Sequence, residues 1–159
     1  LVDIQIRRAR SSDYSDIKEL VKQLYDDLEV KDGMEKELRR DKFLDYLKDP
    51  EIIITVAEID KKIHGYLTIN FNKALLDIGT SAIIDELVVN ATSRGRGTGK
   101  LLVENAITIA KDMGCSEIGV GTESENTDAR SFYKKCGFDE IGVIFEKHLI
   151  KRRRPGFNE

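Results

Sequence analysis

The sequence predicts an α/β (α+β) domain built on a mixed, mostly antiparallel central sheet flanked by helices. Three observations predict it. Hydrophobic periodicity gives the element order β-α-α-β-β-β-α-β-α-β. The first half carries an antiparallel hairpin signal, two β-rich runs either side of Asp60-Lys61-Lys62. The second half carries a strand, a glycine-rich loop, a helix and another strand, the pattern of a parallel crossover. The chain has 159 residues, 40% of them hydrophobic and 35% charged. That supports one folded domain over residues 1–150 with a charged surface, followed by a basic tail, 151–159.

Each element has a local reason. Asp3 to Arg10, punctuated by Ile4, Ile6 and Ala9, reads as a first strand. Ser11-Ser12-Asp13 supplies helix-capping side chains. Tyr14, Ile17, Leu20, Val21, Leu24 and Leu28 then recur at helical spacing, to about Val30. Lys31-Asp32-Gly33 breaks this helix. A second runs from about Glu35 to Leu47, with Leu38, Phe43, Leu44 and Leu47 as its apolar side, and Pro50 ends it. Ile52 to Ile59 is rich in β-branched residues, and Ile63 to Asn72 is its return strand. Ser81 to Asn90 is a third hydrophobic strand. The helix after the glycine loop carries Leu102, Val103, Ala106, Ile109, Ala110 and Met113, and Gly114 stops it. Glu117 to Gly121 reads as a strand, Asn126 to Cys136 as a short helix, and Phe138 to Leu149 as a last strand or hairpin.

Composition excludes several classes. A net charge of −3 gives no footprint for wrapping nucleic acid. No apolar run approaches the length of a membrane span. Leu1-Val2-Asp3-Ile4 lacks a basic region followed by an apolar one, so no signal peptide is expected. Cys115 and Cys136 read as reduced thiols of a cytoplasmic protein. His64 and His148 have no second ligand at metal-binding spacing, so no metal is expected.

The strongest chemical signal is the loop Arg94-Gly95-Arg96-Gly97-Thr98-Gly99-Lys100 between a strand and a helix. Glycines let backbone N–H groups approach a ligand, and a helix start offers unpaired N–H groups and a positive dipole end. Together they make a pyrophosphate site, with Arg94, Arg96 and Lys100 adding charge at its mouth. A Walker A loop fails twice here: Arg94 stands at the first glycine position and Leu101 at the hydroxyl position. A dinucleotide loop would need glycine at Lys100 and a place after the first strand. The acyl-CoA loop, Arg/Gln-x-x-Gly-x-Gly/Ala, fits Arg94, Gly97 and Gly99 at every fixed position.

With that loop and a second motif, the chain resembles the GNAT superfamily of N-acetyltransferases. The second motif runs from Asn126 through Ala129 and Tyr133 to Gly137-Phe138. The resemblance covers roughly Ser81 to Leu149; the first 80 residues match only in element order. It implies acetyl-CoA as cosubstrate, with the pantetheine arm along Leu87-Val88-Val89 and the pyrophosphate on the amides of Gly95 to Lys100, Thr98 and Gly99 included. Asn126 would contact the cofactor, and Tyr133 would face the thioester sulfur.

Acetyl transfer needs a neutral amine, yet an alkylamine with a pKa of about 10.4 is almost wholly charged near neutrality. A base must therefore take a proton, a backbone N–H near Val88 or Val89 would stabilise the oxyanion, and an acid would help the thiolate leave. Tyr133 is the candidate acid. Glu86 is the candidate base; its neighbour Asp85 is expected on the opposite face of the strand, so only one of the two can face the acceptor, and Asp85, Glu123, Glu125 or a water are the rivals. Gly121 and Thr122 stand where some protein-directed members place a base. Cys136 reads as a packing residue before Gly137, since direct transfer needs no thiol nucleophile. The acceptor is a primary amine of unspecified identity. Asp26, Asp27, Glu29, Asp32, Glu35 and Glu37 would either attract a cation or form ordinary solvated faces. Monomer and homodimer both remain open. A non-catalytic acyl-CoA-binding module and a nucleotide-binding domain are the rival classes.

Overall fold

The computed structural model describes residues 3–28, 37–73, 79–145, 147 and 149. Among them, five strands and four α-helices follow one another. These are β1 (Gln5–Arg8), α1 (Tyr14–Asp27), α2 (Arg40–Lys48), β2 (Ile52–Ile59), β3 (Lys62–Lys73), β4 (Thr80–Val89), α3 (Thr98–Asp112), β5 (Cys115–Val120) and α4 (Thr127–Lys135). The sheet order is β1-β2-β3-β4-β5. The first three pairings are antiparallel; β4 and β5 are parallel, as a strand–helix–strand crossover through α3 requires.

The β2–β3 hairpin turns on Asp60 and Lys61, both at positive φ (49° and 65°). Two such residues match the right-handed twist of the flanking strands. Arg7 ties β1 to the start of α1 by paired bonds to Asp13 (2.8 and 2.9 Å) and reaches Glu58 on β2 at 2.7 Å. Burial pushes the Asp13 carboxyl up, but the bonds from Arg7 and the Arg10 N–H outweigh it and hold the group below its usual range.

The sheet buries both faces. On one, Ile53, Ala57, Leu67, Ile69 and Ile84 meet Leu102, Val103 and Ala106 of α3. Gly65 is required there, because a Cβ would stand 2.8 Å from the Val88 carbonyl and 3.2 Å from Leu102. On the other, Val56, Ile63, Tyr66 and Val88 meet Ile17 and Leu20 of α1 and Phe43 of α2. From Ile53 to Ala57 on β2 and from Gly65 to Phe71 on β3, odd residues face one layer and even residues the other, the two-residue period of a strand. The extra residue His64, where the β2–β3 register shifts, puts Ile63 with the even layer.

The structure corrects three expectations. The second helix begins at Arg40, not near Glu35; Glu37 to Arg39 are not helical. Met113 lies past the end of α3 and half exposed, rather than on its buried face. The last strand is absent among the described residues of 138–149. Gly142 sits at φ 70°, which interrupts an extended run, and Ile141, Val143, Ile144 and Phe145 are exposed. The loop break at Lys31-Asp32-Gly33, residues Glu29, Asp32 and Glu35 of the acidic cluster, His148 and the tail 151–159 lie outside the described residues.

Candidate functional site

The site is built on β4. Thr68 pairs with Glu86 while Ile69 pairs with Ile84, so Asp85 is an extra residue, a β-bulge. Tyr66 and Asn70 lie four residues apart on β3, with unbroken register between them, so both face the α1/α2 side. The Tyr66 hydroxyl donates to Glu86 Oε2 at 2.9 Å, and the Asn70 amide donates to Asp85. Both carboxylates therefore emerge on that side. This corrects the expectation of opposite faces: strict alternation fails where the strand carries an extra residue.

Glu86 keeps surface open to water although protein crowds it. Its carboxyl sits above its usual range: burial is the main cause and the Asp85 charge adds to it, while the Tyr66 hydroxyl and Lys42 of α2 pull the other way. Asp85 is also raised by burial. Glu123 and Glu125 lie instead in the exposed turn before α4, where Glu125 is held below its usual range, chiefly by Ser124.

The second half of β4 has a free edge. β5 ends at Val120, opposite Ile84, so among the described residues Leu87 to Val89 have no strand beside them there. The Asn90 N–H donates to the His64 carbonyl of β3 at 2.8 Å. Backbone alternation then turns Val88 toward β3 and Leu87 and Val89 toward the free edge. The Val89 carbonyl accordingly accepts from Gln23 (3.0 Å) and from Arg94 (3.2 Å).

The loop leads from this edge into α3. Gly95 and Gly97 have positive φ (75° and 85°), and a Cβ on either would meet nothing within 4 Å. Gly97 opens α3 without a side-chain cap. The first intrahelical bond runs from the Leu101 N–H to the Gly97 carbonyl, so the N–H groups of Thr98, Gly99 and Lys100 have no upstream helical acceptor. The Thr98 hydroxyl is buried without a partner among the described residues. Two of the three loop cations have acidic partners: Arg94 with Asp27 at 2.6 Å and Lys100 with Glu104 at 3.6 Å. Arg96 is exposed.

From the far side α4 closes on the loop. Phe132 approaches Gly99 so closely that a Cβ there would touch its ring at 3.4 Å. Tyr133 packs edge-on between Phe132 and Phe138, with ring centres 5.1 and 5.8 Å away. Burial raises its phenol above the usual range, so it stays a donor. Asn126 caps α4: its side-chain oxygen accepts from the Ala129 N–H at 3.0 Å. Cys136 is half-buried, and burial, its main influence, raises its thiol, which keeps it protonated rather than nucleophilic. An open basic concavity of about 420 Å³ lies on the outer face of α4, lined by Thr127, Arg130, Ser131, Lys134 and Lys135. It includes none of the candidate catalytic side chains.

Gln23, Tyr66 and Asn70 were invisible to motif reasoning. Gln23 grips the β4–loop junction twice, through the Val89 carbonyl and the Ala91 N–H (3.0 Å each). Its only trace in the sequence is a polar residue inside an apolar helical stripe. The acidic cluster is partly spent: Asp27 pairs with Arg94, and Glu37 with Lys18 at 3.3 Å.

An open strand edge thus runs into an uncapped, glycine-lined helix start. The acetyltransferase (GNAT) family model matches residues 17–138, and the chain belongs to that family. It is 30% identical over 140 residues to an uncharacterised N-acetyltransferase of Methanocaldococcus jannaschii, covering 87% of this chain and 62% of that protein. It is 40% identical over 60 residues to a probable glucosamine 6-phosphate N-acetyltransferase of rice, covering 38% of this chain and 34% of that protein. The chain thus spans less than two thirds of the length of either. The crystal structure of glucosamine-6-phosphate N-acetyltransferase from Arabidopsis thaliana superposes with a TM-score of 0.77 at 24% identity, over 93% of this chain and 99% of that one. At that identity the match speaks to the fold.

Proposed function

We propose that this protein is an acetyl-CoA-dependent N-acetyltransferase that moves the acetyl group to a primary amine, on a small molecule or a peptide, by direct attack in a ternary complex. The observation that carries this is the continuity of the free edge of β4 with the uncapped start of α3. The donor set fits the cosubstrate. The edge-facing backbone groups of Leu87 and the N–H of Val89, whose carbonyl is taken by Gln23 and Arg94, suit an amide-bearing pantetheine arm, and the amides from Gly95 to Lys100 suit a pyrophosphate. Acetyl-CoA supplies an acetyl group already activated as a thioester.

The chain's own groups divide the remaining work. Glu86 takes a proton from the incoming ammonium, on the face opposite α3. The N–H of Leu87 or Val89 donates to the carbonyl oxygen as negative charge grows on it; the Val88 N–H is turned to β3. Tyr133, held protonated, donates to the departing sulfur. Asn126 sets the start of α4 that carries Tyr133, and its amide NH₂ is the group that would reach the cofactor. No metal enters this scheme. No described helix is long and apolar enough to cross a membrane. The mild net charge fits an amine partner rather than nucleic acid, and the proposal takes the protein as cytoplasmic, acting as monomer or homodimer.

The test is release of free CoA from acetyl-CoA across a panel of amino sugars, polyamines, aminoglycosides and lysine peptides. Turnover with at least one amine is expected. CoA binding with no turnover on any would replace this function with a non-catalytic acyl-CoA-binding module. ATP protecting the protein from heat better than CoA would replace it with a nucleotide site.

A further inference from the structure

We propose that Tyr66 is the positioning residue for Glu86: its buried phenol holds the carboxylate on the acceptor side of the β4 bulge, with one oxygen left to take the proton of the amine. The inference rests on Glu86 being the base. Tyr66 is fully buried in the layer between the sheet and α1/α2, so its ring cannot swing away. Its hydroxyl donates to Glu86 Oε2 at 2.9 Å. Burial, reinforced by the Glu86 charge, raises the phenol far above its usual range, so it remains a donor at every working pH.

The geometry divides the carboxylate. Oε2 is engaged by Tyr66, and Oε1 has no partner among the described residues. An ammonium arriving at Oε1 gives up a proton: the N–H bond breaks, its electron pair stays on nitrogen as the lone pair that attacks, and the proton bonds Oε1. Without Tyr66, a carboxylate on an irregular stretch of strand would rotate freely about its side chain. The groups facing Glu86 come from each packed element: Tyr66 from β3, Asp85 from β4 and Lys42 from α2, while Tyr25 of α1 acts on Tyr66. Asp85, anchored by Asn70, is the like charge that raises Glu86; Tyr66 and Lys42 favour its charged form.

Tyr66→Phe removes one oxygen and keeps the ring, and water can reach the freed Glu86 oxygen, so the fold should survive; a thermal melt checks this. Losing a hydrogen bond that favours the carboxylate moves its titration upward. Two readouts are compared with wild type: the Glu86 side-chain carboxyl ¹³C titration in the ligand-free protein, assigned with Glu86→Gln, and the acidic limb of kcat/KM against pH with the best amine of the panel. Both should move up by about one pH unit, a roughly tenfold lower rate below both limbs. Glu86 and the limb staying where they are in Tyr66→Phe, while Glu86→Gln loses activity, would overturn the role of Tyr66. A shifted carboxyl titration with an unmoved limb would also overturn it. Glu86→Gln keeping wild-type kcat/KM would overturn the base itself.

Discussion

The two helix starts that flank the candidate site face the same physical demand and meet it differently. Every helix begins with N–H groups that lack a partner. At α4 the chain answers from within: Asn126 takes the Ala129 N–H at 3.0 Å. At α3 it does not: Gly97, left-handed, has no side chain to offer, and the amides behind it stay unpaired by the helix. One start is capped by the protein, and the other, under the proposed function, is where the cosubstrate anion sits. Substitutions should therefore cost mainly binding at α3, and mainly stability or chemistry at α4, where the Asn126 amide adds at most one cofactor contact.

The largest effect is expected at Gly97. Gly97→Asp has room for its side chain in the free protein, and aspartate tolerates the left-handed region better than most residues. Its carboxylate would face the pyrophosphate, so CoA affinity by calorimetry should fall by about 100-fold or more. Affinity within threefold of wild type would erase the contrast between the helices. Tyr133→Phe should come next, lowering kcat by about tenfold to 100-fold with CoA affinity unchanged. An unchanged kcat would leave Tyr133 as packing between two phenylalanines. The smallest effect belongs to Asn126→Ala, which should cost about 1 kcal/mol of stability in a urea melt, the usual loss for a removed cap. A melt identical to wild type, combined with a large loss of CoA affinity, would mean that both helix starts serve the ligand.

The backbone-built half of the site was legible in the sequence. Glycines at 95, 97 and 99 between a strand and an apolar helical stripe specify a conformation almost by themselves, and the Asn126 to Phe138 motif places α4 beside it. The side-chain half was not. A bulge adds one residue without marking the sequence, so alternation sent Asp85 to the wrong face. Tyr66 reads as another aromatic in a buried strand, and its bond to Glu86 depends on a register across β3 and β4 that the chain does not spell out. Asp27 and Arg94, 67 positions apart, look like parts of two separate charge patches until the fold joins them. At the C-terminal end, Ile141 to Phe145 has strand-like composition, but Gly142 at positive φ prevents the extended run that composition alone predicts.

The central claim is that the free edge of β4 and the start of α3 form one continuous cosubstrate seat. Titrating ¹⁵N-labelled protein with CoA tests it most directly. Amide signals of Leu87, Val89 and Gly95 to Lys100 should move together with a single dissociation constant, while Ala129, already capped, moves less. Shifts centred on the basic outer face of α4, with the Gly95 to Lys100 amides unmoved, would contradict it.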